Sequence, residues 1–382
     1  MTASELKQRG HQIAILHGKS TGKSESTWRE TFSDCFDLTN GNASNTAASA
    51  IFQFQPDAVY VHKMADLAVI KALVQSGCPL VRMVHDHDLY CMRSYKYNPL
   101  TRNICTRATS PYCIFPCGAV LARKRDSGMP FKFVSYRAKQ RELAFNRKFH
   151  RMIVATEYMR NELVRNEFDP AKIEIHAPAP PAIENNQHSS FSPRNLILYV
   201  GQIIRGKGVD VLLESLAEVR APFECIILGQ GSARAQCEAL SRDLGLNRRV
   251  HFKGYVPPEE LQKHLCEASV AVMSSVWPEP FGAAGLEAMR QGLPVVAFDA
   301  GGIREWLVDG QTGFLVPWMD RAAFAARIEE LLRDKKLARR LGEQARQLAR
   351  EKYDFANYIS GLETMFGRVM TESGKTVVTT PT

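Results

Sequence analysis

The chain has 382 residues, 45% hydrophobic and 23% charged, which at about 150 residues per domain implies two domains and excludes a largely disordered protein. No run approaches the roughly 18 apolar residues of a membrane span, and the opening MTASELKQRGHQIAILHG lacks the order of a secretory signal, so a cytoplasmic protein is expected. The net charge of +9 is uneven: residues 93–151 hold fourteen Lys and Arg against Asp126 and Glu142, which suits an anionic partner such as lipid headgroups, a phosphate-bearing substrate or nucleic acid, or else a solvated helix face.

Along the chain, short apolar runs alternate with helical periods, the pattern of a parallel sheet covered by helices. A first series predicts strands over 12–18, 34–39, 58–62, 80–86, 151–156 and 173–177, with amphipathic segments at 67–76 and 158–166. Residues 18–24, GKSTGKS, follow the first strand and approach a phosphate loop, but three residues separate the glycines where four are needed. The segment after them, 25–34, is poorly amphipathic, so no helix N-terminus would present amides to phosphate, and a polar surface loop is expected.

The nine cysteines, without an export signal, argue against a disulfide framework. Cys35, Cys78, Cys225, Cys237 and Cys266 stand in apolar contexts and read as small core residues. Cys91, Cys105, Cys113 and Cys117 cluster within a proline-containing insert over 91–130. Four thiolates could bind zinc and stiffen such an insert, or remain buried thiols or a facultative disulfide. Tyr90, Tyr95, Tyr97, Tyr112 and Phe115 interleave here with Arg93, Lys96, Arg102 and Arg107, a pattern open to base stacking or to a rim facing an acceptor or a membrane.

The stretch PAPPAIENNQHSSFSP, 178–193, has neither period and reads as a linker. Beyond it a second series predicts strands over 195–201, 224–229, 250–256, 270–275 and 294–299, with helical periods at 209–219, 233–244 and 259–268. A long helical stretch follows residue 320, then a helix near 355–370 and a polar tail expected to be disordered. The expected domains are therefore 1–177 and 195–353, joined by the linker 178–194, with the helix 354–370 packing back toward the first.

The richest segment is SSVWPEPFGAAGLEAMRQGLPVVAFDAGGIREWLVDGQTGFLV, 274–316. Its two prolines exclude regular helix at Trp277-Pro278-Glu279-Pro280, and Phe281-Gly282 then opens a helix carrying Glu287. Helix starts beyond strand C-terminal ends are where open α/β sheets bind ligands, and their amides favour a phosphate. Glu279 and Glu287 suit hydroxyl-bearing parts of such a ligand, although either alone reads more readily as a solvated glutamate. The turn Gly201-Gln202-Ile203-Ile204-Arg205-Gly206-Lys207-Gly208 sets Lys207 and Arg205 where they could reach a diphosphate.

Taken in order, YVGQIIRGKGVDVLLESL, LGQGSAR, VHFKGYVPPEEL, SSVWPEPFGAAGLEAMRQGLPVVAFDAGGIREWL and DGQTGFLV resemble the family-4 retaining glycosyltransferases. The resemblance implies the GT-B fold: α/β, two Rossmann-like doubly wound domains facing each other across a cleft. It further implies that Glu279 binds hydroxyls of the transferring sugar, Glu287 the nucleotide ribose and Lys207 the diphosphate. Phe281 and Gly282 would offer amides to the donor, and Gly254 and Tyr255 would lie along its base. LVRMVHDHDLYC, 80–91, is similar to the family's acceptor-side strand, which would set His85 near the reacting sugar, with Asp86 and His87 beside it. The implied reaction moves a hexose from a UDP- or GDP-sugar to a glycan or lipid-linked acceptor of a surface polysaccharide or glycoconjugate. No metal or other cofactor is expected, nor a nucleic-acid partner. The insert would form the acceptor-side rim, and the basic 93–151 region offers peripheral contact with an anionic membrane.

Two departures stand out. Gly201 is followed by Gln202 where the family has an arginine, so either Arg205 stands in or the donor site is weaker than usual. Residues 5–11 look like the last turns of a first helix, without the usual preceding strand and glycine loop, which leaves a truncated, non-catalytic homologue acting as a sugar-nucleotide-binding or partner protein as the alternative.

Overall fold

The computed structural model describes residues 1–19, 27–98, 100–123, 131–180 and 194–374. Most of the phosphate-loop-like segment, most of the linker and the end of the tail lie outside the described residues.

The N-terminal half runs α1 (Thr2–Gln8), β1 (Ala14–His17), α2 (Trp28–Thr31), β2 (Asp34–Asp37), α3 (Ala43–Phe54), β3 (Val59–His62), α4 (Leu67–Gln75) and β4 (Leu80–Val84). After a long insert come β5 (Leu121–Arg123), β6 (Phe131–Phe133), α5 (Tyr136–Asn146), β7 (Arg151–Val154), α6 (Glu157–Arg165) and β8 (Ile173–Ile175). Side-chain oxygens of Asn42, Asp66, Ser135 and Thr156 accept from first-turn amides of α3, α4, α5 and α6, which fixes where those helices begin. Strands β3-β4-β7-β8 form a four-stranded parallel sheet, and β1-β2 a separate two-stranded one that shares no ladder with it among the described residues.

The C-terminal half runs β9 (Leu196–Val200), α7 (Val209–Glu218), β10 (Glu224–Leu228), α8 (Arg234–Asp243), β11 (Val250–Gly254), α9 (Pro258–Glu267) and β12 (Val270–Met273). It continues with α10 (Ala283–Arg290), β13 (Val295–Phe298), β14 (Gly313–Val316), α11 (Arg321–Arg333), α12 (Lys335–Lys352) and α13 (Phe355–Glu372). The sheet order is β11-β10-β9-β12-β13-β14, with every pairing parallel. Chain order reverses between β9 and β12, and the crevice beyond the carboxyl ends of two such strands is where doubly wound sheets bind ligands. The Gly201–Gly208 turn follows β9 and the Trp277–Pro280 loop follows β12, so the fold itself brings the two segments together.

Helix α13 returns to the N-terminal half. Its Tyr358, Ile359, Leu362 and Met365 are buried in one core with Val81 and Met83 of β4 and Ile153 of β7. The His176 ring stacks on Tyr358 at 4.7 Å, and Arg9 pairs with Glu363 at 2.8 Å. Several elements differ from expectation. The helical stretch after residue 320 is two helices, because the Asp334 side chain caps Leu337 and restarts the helix. Helix α3, strand β14 and the β5–β6 ribbon carry too few periodic residues to stand out in the sequence.

Candidate active site

Lys207 and Glu279, 72 residues apart, meet at the switch point: Nζ lies 2.6 Å from Oε1, with Glu279 only 3% exposed. Backbone contacts aim both residues. Gly206 accepts from the amides of Val276 and Trp277 at 2.9 and 3.0 Å, and the Ser274 hydroxyl donates to the Lys207 carbonyl at 3.0 Å. Gly208 follows with φ +64°, and a Cβ there would stand 2.1 Å from the Ser274 carbonyl oxygen, so only glycine lets the turn approach so closely. Glu279 is braced from behind, its amide donating to Ala300 at 3.1 Å and its carbonyl accepting from Gly302 at 2.7 Å.

Its Oε1 also accepts from the Ser275 hydroxyl and, at 3.0 Å, from the Trp277 indole. Burial pushes the Glu279 carboxyl upward, but the Lys207 charge and these donors outweigh it and hold the group below the usual carboxylate range. Three donors on one oxygen leave Oε2 without a donor among the described residues. The Lys207 ammonium stands 5.0 Å over the Trp277 ring, so the aromatic face and the carboxylate hold one cation between them. Ser275 and Trp277 were not singled out in the sequence; a serine and a tryptophan four and two residues before the loop glutamate were the available signal.

Glu287 stands half-buried on the second turn of α10, with no hydrogen bond or ion pair from its carboxylate among the described residues. Burial raises its carboxyl above the usual range, partly opposed by Arg290. Phe281 and Gly282 precede the helix. The Phe281 carbonyl accepts from the Trp306 indole at 2.6 Å, while the two amides have no acceptor among the described residues. Gly254 ends β11 at φ +83°, its carbonyl accepting from Gly229 at 2.7 Å, and Tyr255 beyond it is 73% exposed. Gly201 donates to Leu228 at 3.0 Å, and Gln202 is exposed. Arg205 is exposed and reaches the Leu100 carbonyl of the insert at 3.4 Å, so its guanidinium bridges the two halves.

The facing wall comes from the carboxyl ends of β3, β4 and β7. His85 follows β4 and its Nε2 lies 2.7 Å from Nδ1 of His62, at the end of β3, with the rings stacked. Burial lowers both imidazoles, aided at His62 by His85 and at His85 by Lys63, and His62 falls to about 4. Lys63 pairs with Asp86 at 2.7 Å. His62 went unnoticed in the sequence, although it ends a strand as His85 does.

The histidine that touches the Glu279 loop is His87. It is fully buried, with Nε2 2.8 Å from the Pro278 carbonyl and Nδ1 2.8 Å from the Tyr90 hydroxyl. Burial holds it below the ordinary histidine range, so the neutral ring donates from Nε2 and accepts at Nδ1. Thr156, after β7, donates to the Pro280 carbonyl at 2.7 Å while capping Met159 of α6. Both Glu305 carboxylate oxygens cross from the C-terminal half to the first amides of α6, at 2.7 and 2.9 Å. A Cβ on Gly302 would stand 2.6 Å from Thr156 Cγ2, so the halves meet here at contact distance.

The insert covers the Lys207 turn. Tyr97 lies 3.3 Å from where a Gly206 Cβ would stand, Tyr95 packs 5.5 Å from Trp277, and Arg102 pairs with Asp210 of α7. A buried pair, Lys96 and Glu162 at 2.8 Å and each 2% exposed, pins the insert to α6. Cys91, Cys105, Cys113 and Cys117 are half-buried free thiols. Burial raises the Cys113 thiol, and the three other thiols add to the rise. Among the described residues no three His, Cys, Asp or Glu side chains are grouped to hold a metal ion. No described helix is long and apolar enough to cross a membrane.

Comparison with known proteins follows the same division. Residues 1–178 match the family described as Glycosyltransferase Family 4, and residues 182–348 the family described as Glycosyl transferases group 1. The chain is 33% identical over 176 residues to an alpha-D-kanosaminyltransferase of Streptomyces kanamyceticus, covering 45% of each chain. It is 32% identical over 238 residues to a D-inositol 3-phosphate glycosyltransferase of Corynebacterium diphtheriae, covering 56% of this chain and 55% of that protein. It therefore spans about half the length of these curated relatives. Among solved structures, Anabaena HepE in complex with UDP and glucose superposes with a TM-score of 0.73 at 17% identity, covering 96% of this chain and 94% of that one.

Proposed function

The chain belongs to the family-4, group 1 glycosyltransferases and has their GT-B fold, and from that premise we propose that it transfers a hexose from a UDP- or GDP-sugar to a hydroxyl acceptor with retention of anomeric configuration. The observation that carries this reading is the Lys207–Glu279 pair at the switch point, 2.6 Å apart. An ammonium held against a carboxylate suits a donor whose diphosphate takes the cation and whose sugar hydroxyls take the anion.

In this reading Lys207 neutralises the diphosphate as the glycosidic bond breaks, helped by Arg205 and by the amides of Phe281 and Gly282. That assignment leaves no step for a metal, so turnover is expected to survive a chelator, and its loss on chelation would overturn this part of the reading. Glu279 Oε2 receives sugar hydroxyls, while Ser275 and Trp277 keep the carboxylate ionised and oriented. Glu287 takes the ribose and the Gly254–Tyr255 edge takes the base. The acceptor hydroxyl attacks from the side on which the diphosphate leaves and gives its proton to the departing phosphate oxygen, with His85 near the reacting sugar. The close contact of the two halves would exclude water, which otherwise competes as acceptor. The acceptor in this reading is a glycan or lipid-linked intermediate of a surface polysaccharide or glycoconjugate; the UDP and glucose bound to HepE agree with the donor class.

The test is a thermal-shift screen of UDP- and GDP-sugars, followed by turnover of Lys207→Met and Glu279→Gln. Each is expected to lower kcat by about 10²–10³, with the fold retained by circular dichroism. Full activity in both variants would defeat the assignment, and the anomeric configuration of the product would decide retention.

A further inference from the structure

We infer that the exposed apolar side chains of Tyr112, Ile114, Phe115, Leu121 and Phe133, together with the outer face of α5, form a docking surface for an anionic lipid bilayer. This deepens the lipid-linked branch of the acceptor reading, yet it is measurable without turnover. Five of the exposed large apolar side chains among the described residues fall within 112–133: Tyr112 at 37%, Ile114 at 43%, Phe115 at 84%, Leu121 at 46% and Phe133 at 87%.

The backbone gathers them. Leu121 and Phe133 are register partners across the antiparallel β5–β6 ribbon and so share a face. The chain carrying Ile114 and Phe115 folds back onto the ribbon base, with Gly118 donating to Ile114 at 3.2 Å and Leu121 to Gly118 at 3.3 Å. Phe115 and Phe133, the most exposed of the set, would otherwise have every reason to be buried.

Cations follow Phe133 directly along the chain. Helix α5 begins three residues after Phe133, and Arg137 and Arg141, one turn apart, are both exposed. Lys148, two turns further and just past the helix end, continues the stripe. Neither Arg137 nor Arg141 pairs with a carboxylate among the described residues. Glu142, the acid of this helix, is turned inward onto Lys139 at 2.6 Å and leaves the outer stripe uncompensated. Arg107 lies 4.4 Å over the Tyr112 ring, adding a cation at the edge of the apolar cluster.

Apolar tips bordered by an unpaired cationic stripe match an interface in which side chains enter the acyl boundary while cations meet anionic headgroups. Ile114 and Leu121 offer no ring to stack on bases, which disfavours single-stranded nucleic acid. A second copy of the chain would bring the like charges of Arg137 and Arg141 together.

The test is co-sedimentation of the full chain with phosphatidylcholine vesicles, with and without phosphatidylglycerol, alongside light scattering. The chain is expected to sediment with the phosphatidylglycerol vesicles and to be released by salt. Arg137→Ala combined with Arg141→Ala should lower partitioning about 25-fold, taking roughly fivefold per cation. Phe115→Ser with Phe133→Ser should lower it at least about tenfold. Both variants should keep the wild-type melting temperature and donor-induced thermal shift. No vesicle binding, equal binding to both vesicle kinds, indifference to the variants, or a dimer that these variants dissolve would each overturn the proposal. Donor binding lost in the wild type would instead strike at the transferase reading and leave the vesicle result standing.

Discussion

The two halves of the molecule hold their parts of the cleft by different means. On the C-terminal side, backbone approaches at glycines aim the functional groups, as where Gly208 meets Ser274 and Gly301 meets Glu279, with no room for a Cβ. On the N-terminal side, side chains do this, through the His87–Pro278 bond, the Lys96–Glu162 pair and the His62–His85 stack. A backbone contact tolerates one residue type, whereas a side-chain network can be rebuilt from others. The comparison teaches that the geometry of the C-terminal wall is rigidly encoded, while that of the N-terminal wall is adaptable.

The largest effect should come from the rigid side. Gly208→Ala forces a Cβ onto a carbonyl oxygen and strains a φ of +64°. It is expected to abolish donor-induced thermal shift and cost about 3 kcal/mol or more, read by urea unfolding; a variant with normal donor binding would break the comparison. Next, Lys207→Ala strands a buried carboxylate and should destabilise by about 3–5 kcal/mol. Adding Glu279→Leu should restore most of that stability without restoring turnover, which separates the pair's structural role from its chemistry.

On the adaptable side, His87→Ala should cost about 2–3 kcal/mol from the lost bond and cavity. His87→Gln, able to donate to Pro278, should recover part of it, measured by chemical denaturation. The pH dependence should separate the halves further. His62, His85 and His87 are held below the ordinary histidine value of about 6.5, so their contribution is full above that pH and is lost as pH falls toward their folded values, about 4 for His62. Glu279 is held low instead, so its contribution is present above the usual carboxylate value and is lost only below it. Melting temperature against pH should therefore decline first through the histidines, His150 and His176 included, and His62→Gln with His87→Gln should make that upper stage shallower without moving the lower one. The smallest effect should be Glu305→Gln, expected to cost about 0.5–1 kcal/mol through a weakened α6 cap.

The same contrast explains what the sequence disclosed. Short apolar runs placed all eleven expected strands, because strands of a covered parallel sheet are apolar on both faces. Glu279 and Lys207 were legible because glycine and proline spacings mark their turns. Glu287 could be assigned only through its fixed distance from Glu279. His87 was legible only as a neighbour of His85, since its partner, a backbone carbonyl 191 residues away, leaves no mark at that position. Thr156 and Glu305 were likewise invisible, because their partners are set by how the halves meet, whereas His62 ends a strand beside His85 in the same half and was open to the reasoning that found His85. Ser275 and Trp277 sat inside the quoted motif, but nothing in the letters assigned their donors to the glutamate.

One contact joins the two lobes through a helix terminus. Glu305 caps α6 from the opposite lobe, so separating the lobes would strip two peptide donors and the positive end of a helix dipole of their counter-charge at once. Glu305 thus adds a latch between the lobes beside the His87–Pro278 and Thr156–Pro280 bonds, and its release would be one part of any opening of the cleft.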